Sequence, residues 1–80
     1  HILAFVEVKC RRGKDFGHPL DAITGAKRRE VVRAAQAWLL ETVLPPGTSV
    51  RFDAVSVFCP QGRAPEVFHL PDAWRPGSES

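Results

Sequence analysis

The run Ile2-Leu3-Ala4-Phe5-Val6 is apolar without a break, and Glu7-Val8-Lys9 follows it at once. β-branched and aromatic residues dominate it, so residues 2–9 read as a strand. A strand with no polar alternation has no side meant for water. It is therefore expected at the centre of a sheet, with cover on both faces. That demand constrains the fold more than any other feature, because only 80 residues are available to meet it. A chain of this size hides about 60% of its unfolded surface, enough for one small domain.

The next elements can be read from punctuation and period. Residues 10–20 are rich in Gly, Arg and Lys and end near Pro19, as a loop does; residues 20–23 predict a short helical turn. Thr24 is an N-cap residue type with Lys27 three positions on, where a capping box prefers Glu or Gln. From there Val31, Ala34, Ala35, Trp38, Leu39 and Thr42 recur at helical spacing, which predicts a long helix with Trp38 in the core. Pro45-Pro46-Gly47 stops it. Residues 50–59 predict a second strand and residues 66–70 a third, with a turn at 60–63 between them. Pro71–Trp74 predicts one helical turn, with Trp74 sealing an end of the core, and residues 76–80 a disordered tail.

The order strand, helix, strand, strand implies an α/β domain over residues 1–75. A right-handed crossover makes the first two strands parallel, and the third returns antiparallel. Three strands and one helix leave one sheet face and one sheet edge uncovered. His1 is not an initiating Met and leads straight into a strand, so earlier elements are expected upstream.

Composition excludes several classes. With 44% hydrophobic and 25% charged residues, the chain is an ordinary globular sequence. It lacks the roughly 18 consecutive apolar residues of a membrane span, and no signal peptide is evident, which predicts a cytoplasmic protein without a membrane partner. Cys10 and Cys59 are too few for a disulfide scaffold, too far apart in sequence for a zinc cluster, and read as buried or half-buried thiols. Charge is uneven: residues 1–33 hold eight Lys/Arg against four Asp/Glu, and residues 34–80 three against five. If a polyanion binds, it binds the first part; the alternative is a solvated charged face, the commoner outcome of so modest an excess.

The chemistry-bearing motif is Glu7-Val8-Lys9. Alternate strand residues share a side and lie about 6.5–7 Å apart. A carboxylate there can hold Mg²⁺ or Mn²⁺, while the ammonium orients a water and offsets phosphate charge. An Arg/Lys/Gly loop with Arg11, Arg12 and Lys14 follows, then a helix whose first turn carries Lys27 and Arg28, a combination suited to phosphate. Taken alone the tripeptide also fits a surface ion pair. Asp53 reads first as a local hydrogen-bonding or salt-bridge residue, and second as a further acid for a metal at Glu7.

As a set, Phe5-Val6-Glu7-Val8-Lys9, Arg11, Phe16-Gly17, Ala22, Lys27, the Arg-rich helix and Arg51-Phe52-Asp53-Ala54-Val55 resemble the bacterial YraN family. The resemblance runs from Leu3 to about Trp74. It implies a restriction-endonuclease-like fold related to archaeal Holliday junction resolvases, of which this chain holds the C-terminal portion. It implies a metal-dependent endonuclease with Glu7 as metal ligand and Lys9 as the water-orienting group. Arg11, Arg12, Lys14, Lys27 and Arg28 become contacts to nucleic acid, DNA before RNA. It also implies a metal-binding Asp on an upstream strand, absent from these residues, so the chain by itself is expected to be inactive. The uncovered edge and the nuclease resemblance both favour a homodimer. A non-catalytic nucleic-acid-binding module and a degenerate structural domain are the alternatives.

Overall fold

A computed structural model of the chain describes residues 1–12, 21 and 23–77. In chain order they form β1 (Ile2–Arg11), α1 (Gly25–Leu40), β2 (Ser49–Phe58) and β3 (Glu66–Trp74). β1 and β2 are parallel in one unbroken register, from Ile2 opposite Ser49 to Arg11 opposite Phe58. β3 pairs antiparallel with the other side of β2, giving the sheet order β1-β2-β3. The expected α/β order and pairing directions therefore hold. Of the loop expected at residues 10–20, Cys10 and Arg11 belong instead to β1, where they pair with Val57 and Phe58, and residues 13–20 lie outside the described residues, as does most of the turn expected at 20–23.

Local chemistry sets the bounds of α1. The Thr24 hydroxyl accepts the Lys27 N–H at 3.1 Å, satisfying one of the four orphan donors of the first turn. The helix ends at Leu40, short of Thr42, whose hydroxyl donates to the Trp38 carbonyl at 2.7 Å. Pro45-Pro46-Gly47 then turns the chain into β2. Thr48 N–H reaches the Pro45 carbonyl at 3.2 Å, and Gly47 takes φ +80°, where a side chain would be strained.

The core lies between α1 and one sheet face: Ile23, Val32, Ala35, Phe52, Ala54 and Trp74 are buried together. Trp74 stacks on Phe52 with centroids 5.5 Å apart, and Phe52 stacks on Phe5 at 5.6 Å. The helix is rotated from its expected orientation. Val32 and Ala35 point inward, while Ala34 is exposed and Trp38 is 46% exposed. Trp38 is thus not a core residue; it meets Phe5 edge-on at 5.7 Å over the β1 side of the sheet. Val32 and Ala35 are the helix residues that meet Phe52, Ala54 and Trp74 in the core, and Val31 packs at its margin.

Two other expectations are corrected. β1 is not central: among the described residues it has a neighbour only in β2, and Val6 and Val8 remain exposed. The central strand is β2, flanked on both sides. Ile2, Val6, Val8 and Val67 lie on the face opposite α1, which is the uncovered face expected from one helix and three strands. Residues 71–74 are not a helical turn either. β3 continues through them to Trp74 across an irregularity between the pairs Phe52–Trp74 and Ala54–Leu70. Pro71 sits in that interruption, where its missing N–H breaks no ladder bond, and burial of Trp74 pulls the chain back into the sheet.

Candidate functional site

The unbroken register of β1 places Leu3, Phe5, Glu7 and Lys9 on the side of α1. Glu7 and Lys9 therefore share a face, as their spacing predicts. Glu7 is half-buried in a groove of about 500 Å³ between β1 and α1, whose lining includes Phe5, Val31, Trp38, Lys27 and Glu30. Lys9 lies beyond that lining and is exposed, so the pair shares a side of the strand but not one concavity.

Lys27 enters the groove from the first turn of α1. Its Nζ stands 4.0 Å from Glu7 Oε1 and 3.6 Å from Glu30 Oε2. The helix thus brings a second carboxylate to Glu7 with an ammonium between the two. Sequence reasoning missed Glu30, although its position three residues after Lys27 on a helix was a legible signal. Both ion pairs are solvent-exposed enough to contribute little stability.

The other cations are dispersed. Arg28 is half-buried, on the core side of α1, and Arg11 is half-buried at the end of β1. Arg12 is exposed, and Lys14 lies outside the described residues. Ser56, opposite Lys9 in the register, is buried on the same face, and its hydroxyl makes no hydrogen bond.

Asp53 belongs elsewhere. It pairs with Val6 in the register, one residue out of phase with Glu7, so it faces the opposite side of the sheet. It is 1% exposed and held from several directions. Oδ1 accepts the Asp72 N–H at 2.9 Å, and Oδ2 contacts His69 Nε2 at 2.8 Å and accepts from Arg51 Nη2 at 3.2 Å. Arg51 Nε lies 3.0 Å from Oδ1 as an ion pair, without hydrogen-bond alignment. Burial pushes the carboxyl pKa up, but the Asp72 N–H, His69 and Arg51 outweigh it and hold the value below the ordinary 3.8. Asp53 is the local hydrogen-bonding residue, not a second acid for Glu7. It organises the irregular part of β3, where Asp72 takes φ +51°.

Among the described residues no three His, Cys, Asp or Glu side chains gather as metal ligands. Glu7 and Glu30 with Lys27 between them do not fit Mg²⁺ or Mn²⁺, which prefer several oxygen ligands and no adjacent ammonium. Cys10 and Cys59 are free thiols; Cys59 is half-buried as expected, whereas Cys10 is exposed because it faces away from α1 at the end of β1. Cys10 pairs with Val57, two residues short of Cys59. Strand spacing and rise put the two Cα atoms about 8 Å apart, too far to bridge. No described helix is long and apolar enough to cross a membrane.

The model of the uncharacterised protein family UPF0102 matches residues 1–57. A UPF0102 protein of Nocardia farcinica is 48% identical over 67 residues, covering 84% of this chain and 52% of the relative. One from Bifidobacterium longum subsp. infantis is 43% identical over 75 residues, 92% of this chain and 60% of its own length. A third, from Geotalea daltonii, is 38% identical over 72 residues, 90% and 56% respectively. The chain spans about half the length of the curated relatives it matches. With that match over more than half of its residues, the chain belongs to UPF0102, the YraN-like family that its motifs resemble.

Proposed function

We propose that this chain is the nucleic-acid-binding portion of a metal-dependent endonuclease whose catalytic site it holds only in part. The observation that carries this reading is the shared face of Glu7 and Lys9 on β1, with Lys27 from the first turn of α1 beside Glu7. In the longer protein Glu7 is a ligand to Mg²⁺ or Mn²⁺, and Lys9 orients water and offsets phosphate charge. The residues described here do not hold such an ion alone, so further acids must come from elsewhere in the longer protein. Arg11, Arg12, Lys14, Lys27 and Arg28 supply positive charge for the nucleic acid, with DNA as the first substrate to test and a homodimer as the first assembly.

The test compares two proteins. The 80-residue chain should bind oligonucleotides weakly, with affinity falling as salt rises, because the gain comes from released counterions. It should cleave no duplex, single strand or branched junction with either ion. A protein of the relatives' full length should cleave, and Lys9→Ala should lower that rate by about 100-fold or more, the scale of losing one charge-stabilising donor. Cleavage untouched by Lys9→Ala, or by Glu7→Ala, removes these residues from the site.

A second reading, the non-catalytic nucleic-acid-binding module, is favoured by one observation: Lys27 occupies the space between the two carboxylates a metal would need. Binding without cleavage by the full-length protein on all three substrates decides for it.

A further inference from the structure

We infer that an unpaired base stacks on Trp38 in the groove between β1 and α1, so that single-stranded or branched nucleic acid, not continuous duplex, is the substrate class. The site rests on the nucleic-acid reading above and names the group that such binding would recognise.

Trp38 is the one Phe or Trp among the described residues that is exposed, at 46%. Its place in the groove follows from the helix. Trp38, Ala34, Val31 and Lys27 stand four, three and four residues apart, on one stripe of α1 that lines the groove. A long side chain on a helix leans toward the N-terminus, so the indole lies over the turn that carries Ala34. Ala34 is itself exposed and extends no further than a methyl group, which leaves room beside the ring. Phe5 meets Trp38 at 83° with centroids 5.7 Å apart. A perpendicular contact engages at most one face of the indole, so a second flat ring has a face to stack on. Phe5 is backed in turn by Phe52 at 5.6 Å, which anchors the platform to the core.

Charge decides which part of a nucleotide enters. The end of the groove toward the first turn of α1 holds Glu7, Glu30 and Lys27, two carboxylates with one ammonium between them. That excess of negative charge keeps a phosphate out, whereas a base is neutral and has two apolar faces. The same groups suit the edge of a base: a carboxylate accepts from the amino group of cytosine, and an ammonium donates to O6 of guanine. Phosphates then lie outside the groove, toward Lys9, which is exposed on the same side of β1 beyond Glu7. The groove's volume of about 500 Å³ falls in the range of sites that take small molecules. Only an unpaired base can enter, because in a duplex the faces of each base are covered by its neighbours. Stacking of this kind tolerates any sequence, since every base has a π-face.

The experiment titrates the 80-residue chain with single-stranded and duplex oligonucleotides of one length and follows tryptophan fluorescence. The chain has two tryptophans, and Trp74 is buried. A single strand should therefore quench Trp38, and in Trp38→Phe the remaining emission should not change. Duplex should bind more weakly and leave Trp38 unquenched, and a duplex with one bulged base should restore the quenching. Trp38→Ala should weaken single-strand binding by about 5- to 100-fold, the scale of one stacked base. The slope of log affinity against log salt should stay as in wild type, because no phosphate contact is lost. Ala34→Leu fills the groove from an exposed helical position, leaves the indole in place, and should weaken binding in the same direction. If wild type binds single strand yet Trp38 is not quenched and both variants keep wild-type affinity, the base site falls while the nucleic-acid reading stands. Equal quenching by continuous duplex removes the requirement for an unpaired base. If acrylamide reaches Trp38 in this chain but not in a protein of the relatives' full length, another part of that protein fills the groove and the base site is excluded. If wild type binds no oligonucleotide at low salt, both readings fall together.

Discussion

Alanine at position 53 would leave Arg51, His69 and the Asp72 N–H without the carboxylate that joins them. Removing one partner of a buried charged network costs about 3–5 kcal/mol, a large share of the stability of a domain this small. Denaturant unfolding of Asp53→Ala should show it. Asp53→Asn keeps the shape and should lose less, and it should also flatten the pH dependence. The folded pKa of Asp53 lies below its ordinary 3.8, so its contribution is present above that value and is lost as pH falls through the folded one. Wild type should therefore lose stability more steeply than Asp53→Asn as pH falls below the ordinary 3.8. Equal slopes would mean that the network does not depend on the charge. This role follows from contacts across β2 and β3, and no neighbour of Asp53 in sequence except Arg51 announces it.

At the scale of elements, α1 separates two kinds of apolar residue that share one period. Phe52, enclosed between Phe5 and Trp74, and Trp38, resting edge-on against Phe5 with half its surface in water, should respond differently to truncation. Phe52→Ala should cost about 3–5 kcal/mol, as large-to-small changes of buried aromatics do. Trp38→Ala should cost less than half of that, since much of its area is never removed from water. Equal losses in thermal unfolding would place Trp38 in the core after all. The helix start is simpler. Thr24→Ala removes a cap hydrogen bond made within four residues of chain, and should cost about 1 kcal/mol.

For the whole molecule, the balance of covered and uncovered surface follows from having one helix on a three-stranded sheet. The helix face carries the core, the Glu7 groove and Lys9. The opposite face carries the Asp53 network amid exposed Ile2, Val6, Val8 and Val67. The proposed chemistry is accordingly confined to one face, and Asp53 cannot complete it without leaving its own network. Hence Asp53→Asn in a cleavage-competent full-length protein should change stability while sparing the metal dependence of cleavage. Loss of metal dependence in a folded Asp53→Asn variant would contradict the placement of the two acids on opposite faces.

Sequence by itself determined what depends on near neighbours. The apolar run of β1, the cap at Thr24, the Pro45-Pro46-Gly47 stop and the strand-helix-strand-strand order are each fixed by a few adjacent residues. So is the common side of Glu7 and Lys9, because a strand's period is two. Tertiary structure alone decided the rest. Which residues of α1 are buried depended on where the helix lies over the sheet, with Val32 and Ala35 in the core beside Phe52, Ala54 and Trp74, and whether β1 was central depended on which strand lay beside it. The extension of β3 through Pro71 depended on Asp53, nineteen positions from Asp72, accepting an N–H from across the sheet. Periodicity can say that a residue has an apolar side or a strand a paired edge. It cannot say which of two equivalent sides another part of the chain will cover, because the packing energy that settles the choice belongs to residues far away in sequence.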